Sequence, residues 1–257
     1  MSKWVKILLG VVSIFILAIV AMFYFTSGMV DTADAFFNAV KQKDIAKARG
    51  YLAEDFKAST DENALQAFLS KGAILNYKEA SWSNRQISGG RGELNGAITT
   101  ETGGIVPIKL MFVKENDAWK IYAIQKPTAG LQSEDTSPTI PGKLEQSALV
   151  KQSMHNFIAS VEKKNMEHFR STGSRLWQKQ FTTEQFNQAF KLVIDSGANW
   201  SVLESFEPDF SSEAKVDENG ILLLAGHYKT TPNIQFEQKY IYEGLAWKLI
   251  GFSFQAK

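Results

Sequence analysis

Among the side chains of this 257-residue chain, three histidines stand out as able to bind a metal or move a proton near neutral pH: His155, His168 and His227. Their spacings of 13 and 59 residues match none of the short helical or finger spacings that bring zinc ligands together, so no metal centre is expected. His155 and His168 fall in helical patterns, where a solvent-facing or cap-satisfying role is the ordinary reading. His227 ends the run Leu222-Leu223-Leu224-Ala225-Gly226-His227-Tyr228. Strand alternation puts it on one face with Ile221, Leu223 and Ala225, and puts Tyr228 on the other with Leu222 and Leu224. In an apolar pocket such a ring could act as a general acid or base; at a pocket rim it is a hydrogen-bonded structural histidine.

Isomerase-type catalysis needs a carboxylate base facing two proton donors inside an apolar cavity. That set does not assemble here. Asp44 and Asp61 are better placed to cap helices, Asp55 reads as a turn residue beside Phe56, and Tyr51, Tyr77 and Tyr122 are scattered. Gly89-Gly90-Arg91-Gly92 precedes a strand pattern and lacks the Lys-Ser/Thr of a phosphate loop, so it reads as a turn. Trp82, Trp119, Trp200 and Trp247 read as sheet core, any of which could floor a ligand pocket. The candidate ligand-binding set is therefore His227, Tyr228, Trp200 and Trp247, with no catalytic residue and no cofactor expected.

These side chains need elements to hold them, and the chain is long enough for two domains, each able to bury a core with 44% hydrophobic residues. Its 28 basic and 27 acidic side chains nearly cancel, which argues against a nucleic-acid partner. With no cysteine, neither disulfides nor thiolate metal sites can contribute. From Ile7 to Phe25 nineteen residues carry no charge, enough at about 1.5 Å per residue to cross most of a ~30 Å hydrocarbon layer. Lys3 and Lys6 stand before that run and no basic residue follows until Lys41, so a transmembrane helix is expected with its N-terminus cytoplasmic. Trp4 and Tyr24 fit the interfacial aromatic belt. The alternative is a cleaved secretory signal, and on either reading the bulk of the chain lies outside the cell membrane, periplasmic or extracellular.

Beyond residue 30 one order of landmarks occurs twice. Ala33, Phe36, Phe37 and Val40 recur at helical spacing, and Phe157, Ile158 and Val161 follow the same pattern 121 positions on. Asp44 and Asn165, also 121 apart, can each cap a second short helix. A third helix opens with Ser59-Thr60-Asp61-Glu62 in one half and Thr182-Thr183-Glu184-Gln185 in the other, both read as capping boxes. Strands are then expected around Trp82 and over 92–100, 106–115 and 118–124, and in the second half over 202–206, 221–230, 234–242 and 246–252. Both series end in Ala-Trp-Lys-aliphatic, at Ala118 and at Ala246. The expected fold class is α+β: an N-terminal transmembrane helix (1–28 with its stub), a first domain over 31–125, a Pro-, Ser- and Gly-containing linker over 126–147, and a second domain over 148–257. Each domain is three helices followed by a curled antiparallel sheet.

This order, with its capped turn after the first helix and its Trp-Lys-aliphatic last strand, resembles the nuclear-transport-factor-2-like superfamily, also called cystatin-like α+β, over residues 31–125 and 148–255. The resemblance implies a cone-shaped pocket between helices and sheet. It includes isomerase-type enzymes, ligand carriers and non-catalytic assembly domains, so function must be argued from a site. The expectation is a membrane-anchored extracytoplasmic protein with a non-enzymatic binding or scaffold role, its partner a protein. The alternative is a small-molecule or lipid carrier using the cone pocket, or an isomerase- or dehydratase-type enzyme.

Overall fold

The computed structural model describes residues 27–71, 73–126 and 140–256. The chain divides into two compact units, Met1–Gly130 and Leu131–Lys257. Unit 1 opens with a helix over 27–41, α1, whose Met29, Ala33, Phe36, Phe37 and Val40 are all buried. It continues through α2 (Ile45–Arg49), α3 (Glu54–Ser59) and α4 (Glu62–Lys71) to a four-stranded sheet: β1 (Tyr77–Ser88), β2 (Arg91–Thr100), β3 (Ile105–Glu115) and β4 (Ala118–Gln125). The strands lie in chain order, each antiparallel to the next. Unit 2 has α5 (Lys143–Glu162), α6 (Glu167–Thr172), α7 (Arg175–Gln180), α8 (Thr183–Ala189), α9 (Lys191–Asp195) and a 3-10 turn over Trp200–Ser205. Two short edge pieces follow, β5 (Asp209–Phe210) and β6 (Lys215–Val216), both paired to β7 (Ile221–Tyr228), then β8 (Ile234–Glu243) and β9 (Ala246–Ala256).

The α+β class with antiparallel sheets is as expected, but the transmembrane helix in it is corrected. Among the described residues no helix is long and apolar enough to cross a membrane. The run 7–25, on which that expectation rested, lies outside the described residues. The three-helix count also falls short, because unit 1 has one additional short helix, α3, and unit 2 has two, α7 and α9. Asp55 is in the first turn of α3 instead of a loop. α5 opens at Lys143, inside the stretch read as linker.

Local chemistry explains most boundaries. Asp44 accepts the Lys47 N–H at 2.9 Å, and Thr182 and Gln185 form the expected reciprocal box at the start of α8. In unit 1 the box does not form: Ser59 ends α3, and Asp61 accepts the Ala64 N–H at 2.7 Å instead. The strand expected over 202–206 is the 3-10 turn. Asn199 Oδ1 accepts from both the N–H and the hydroxyl of Ser201, closing a local turn that competes with extended backbone.

The duplication is visible in details that hydrophobic pattern alone would not require. Lys43 and Lys164, 121 apart, both adopt left-handed backbone, at φ 58° and 52°. The next N–H in each case, Asp44 or Asn165, bonds back to Ala39 or Ser160 at 3.0 Å. Ala53 N–H donates to the Ile121 carbonyl at 2.8 Å, and Ser174 N–H donates to Leu249 at the same distance. A β-bulge falls between Met111 and Phe112 against β4, and another between Lys239 and Tyr240 against β9, 128 residues on. Both bulges bend the sheet at the same place, which curls it around the helices.

Candidate binding groove

The space between helices and sheet in unit 2 is filled by rings. Phe157 on α5 lies 5.3 Å from Phe169, 5.0 Å from Phe190, 4.9 Å from Phe252 and 5.2 Å from Phe254, centroid to centroid. Trp177 and Phe186 extend the cluster at 4.8 Å. These are edge-on and tilted contacts of close-packed aromatic cores. In unit 1, Phe37 stacks on Tyr77 at 5.3 Å and lies 6.5 Å from Trp82.

Beside this packing, a groove of about 640 Å³ runs between α5 and the 3-10 turn. Leu144, Ala148, Met154, Leu203 and Phe206 supply apolar walls, and Tyr228 from the end of β7 reaches it from the sheet. Its rim is bridged twice: Lys151 Nζ lies 2.7 Å from Glu207 Oε1, and His155 Nδ1 lies 2.6 Å from Glu204 Oε1. Ser147 adds a 3.5 Å hydroxyl contact to Glu207. Leu144, Ala148, Lys151 and His155 share the groove side of α5 because they recur three and four residues apart.

Tyr228 is only 1% exposed, and its hydroxyl has no hydrogen-bond partner among the described residues. Burial, reinforced by the nearby Glu207 carboxylate, pushes the phenol well above the usual tyrosine range. The phenol therefore stays a neutral hydroxyl, able to donate or to accept. Deeper in the unit, Ser153 Oγ meets Tyr240 Oη at 3.0 Å, and the Tyr240 hydroxyl donates to Gln238 Oε1. Gln238 is fully buried, and its Nε2 has no partner among the described residues.

The four residues singled out from sequence do not converge on one site. His227 and Tyr228 are neighbours on opposite sheet faces, as alternation required; Leu222, Leu224 and Tyr228 form the buried face. His227 is on the more open face, where Nε2 lies 3.8 Å from Asp209 Oδ2. Lys229 takes the same carboxylate oxygen at 2.7 Å, and its hydrogen bond and charge, with a smaller contribution from His227, hold Asp209 below the usual carboxylate range. Trp200 packs edge-on against Phe254 at 5.3 Å, its buried Nε1 without a partner among the described residues. Trp247 packs against Tyr242 at 5.3 Å. Since Tyr228 pairs with Ile234 while Tyr242 pairs with Trp247, Tyr228 and Trp247 lie near opposite ends of the sheet, roughly 26 Å apart along β8 at about 3.3 Å per residue.

His168 is exposed on α6. Gly89 and Gly90, at φ 56° and 79°, make the turn between β1 and β2. No group of three or more His, Asp or Glu among the described residues is placed to hold a metal. The groove residues Leu144, Lys151, Met154, Glu204 and Glu207 escaped sequence reasoning. The stripe Leu144, Ala148, Lys151 and His155 was a readable signal; its partner was hidden because 202–206 read as a strand.

Unit 1 carries an acid at the helix position where unit 2 carries a histidine. Asp34 precedes His155 by the same 121 residues, and burial first, then the Asp31 charge, push its carboxyl up while Arg85 acts against them. The two units share a fold but present different electrostatics there. No family model and no curated protein sequence matches the chain.

Proposed function

We propose that this chain is a non-enzymatic binding or scaffold protein whose two α+β units recognise a protein partner. The observation that carries the reading is the ring cluster around Phe157, which occupies the space between helices and sheet that a reaction chamber would need. Recognition is left to surfaces, and unit 2 exposes Leu144 and Leu192 almost completely, at 90% and 88%. The resemblance to the nuclear-transport-factor-2-like superfamily belongs to the same proposal, supported by the long helix, short helices and curled four-stranded meander of unit 1. A location outside the cell membrane also belongs to it, resting on the uncharged run 7–25 behind Lys3 and Lys6.

The test is to purify the full-length chain from its own cell envelope in mild detergent and weigh it by native mass spectrometry. A stoichiometric protein companion is expected. A chain that is reproducibly bare over a range of gentle extraction conditions overturns the reading. A second reading, a carrier of small molecules, is favoured by the groove beneath α5.

A further inference from the structure

We infer that the groove between α5 and the 3-10 turn of unit 2 binds an uncharged single-chain amphiphile, with a hydroxyl or carbonyl oxygen of its head accepting from Tyr228. This goes beyond protein recognition and does not depend on it. The volume of about 640 Å³ falls within the range of small-molecule sites. Apolar walls with one convergent polar group are the usual composition of such sites. The polar group here is built in: Tyr228 is 1% exposed, faces the groove and has no hydrogen-bond partner among the described residues. The Tyr228 hydroxyl opens onto the groove and is left available to a ligand oxygen there.

The neutral Tyr228 hydroxyl can donate to a hydroxyl or carbonyl oxygen of the head, and an uncharged head fits because each ionisable side chain on the rim is already engaged by another groove residue. Lys151 is engaged by Glu207, and His155 by Glu204. A carboxylate or phosphate head would meet Glu204 and Glu207 with no uncommitted cation among the groove residues. At the Leu144 end, Leu144 and the neighbouring Ile140 are exposed, at 90% and 45%, and extend the apolar surface along which a chain can lie.

The experiment uses the full-length chain and a medium-chain monoacylglycerol carrying a photoactivatable diazirine in its acyl chain, with crosslinked peptides mapped by mass spectrometry. Adducts are expected on the α5 and Trp200–Phe206 peptides, competed by unlabelled monoacylglycerol and not by the fatty acid anion of equal length. Tyr228→Phe should raise the half-saturating concentration about tenfold, the loss of one hydrogen bond. Ala148→Phe, a change on the exposed side of α5, should abolish labelling by filling the groove, and it carries the test if Tyr228→Phe perturbs folding. Labelling spread evenly over the chain, or unaltered by Ala148→Phe, overturns the site. Equal competition by the anion overturns the assignment of an uncharged head. A protein companion seen by native mass spectrometry bears on the recognition reading alone.

Discussion

The Glu243 carboxylate accepts the backbone N–H of Arg175 at 3.0 Å, and Glu115 does the same for Glu54 at 3.0 Å in the other unit. In both units the last residue of the next-to-last strand thus tethers the opening turn of a six-residue helix that would not persist alone. The two acids differ in burial: Glu243 is 1% exposed, whereas the Glu115 contact is open to solvent. Glu243→Ala should therefore cost about 2–3 kcal/mol of unit 2 stability, and Glu115→Ala under about 1 kcal/mol of unit 1. Urea titration of the full chain, following Trp fluorescence, compares them; equal effects would refute the difference in burial as the cause.

Gly96 on β2 and Gly226 on β7 each lie opposite an edge strand, β1 and β5, paired with Trp82 and Phe210. A Cβ on Gly96 would come within 1.9 Å of the Ser81 carbonyl oxygen, and on Gly226 within 2.3 Å of the Asp209 oxygen. Each alanine substitution should cost about 2–4 kcal/mol by displacing backbone that has no room to move. Hydrogen exchange should show the loss of protection concentrated in β1 for Gly96→Ala and in β5 for Gly226→Ala.

Asp34 provides a pH dependence with a definite sign. Its folded carboxyl titrates above the unfolded one, so the fold favours the protonated form and stability falls as pH rises through the window between the two values. Above that window the penalty is constant, and below it there is none. Asp34→Asn should raise unit 1 stability at pH 7, modestly because solvent screens this half-exposed group, and leave it unaltered near pH 3. A variant that loses stability at pH 7 would show that the Arg85 attraction outweighs burial.

Tyr240 links Ser153 to Gln238 inside unit 2. Tyr240→Phe leaves the Gln238 oxygen buried without its donor and should cost about 1–3 kcal/mol. Adding Gln238→Leu removes the stranded amide and should recover part of that loss. A double-mutant cycle in urea measures the coupling, and additive costs would mean that the two side chains act separately.

Much of the architecture was legible because its determinants are local. Alternation along β7 placed His227 and Tyr228 on opposite faces correctly, since the side-chain period of a strand needs no tertiary information. Asp44 and the Thr182 box marked helix starts because a cap is a contact within four residues. The failures are also local conflicts. Val202–Phe206 looked extended until the Asn199 side chain closed a turn on Ser201, and Ser59 lost its cap role because α3 already ended there.

By itself the sequence determined the recurring landmarks of the two halves, the succession of helices by an antiparallel sheet and the uncharged run 7–25, because periodicity, caps and turns act between near neighbours. Only tertiary structure decided which candidates share a site. Trp247 and Tyr228 are drawn to opposite ends of one sheet by strand register, while Tyr228, Met154 and Leu203 are brought to one groove from three elements. Burial belongs to the fold as well: Tyr228 is enclosed down to the hydroxyl that opens onto the groove only when a helix, a turn and a strand close around it, and no spacing along the chain encodes that enclosure.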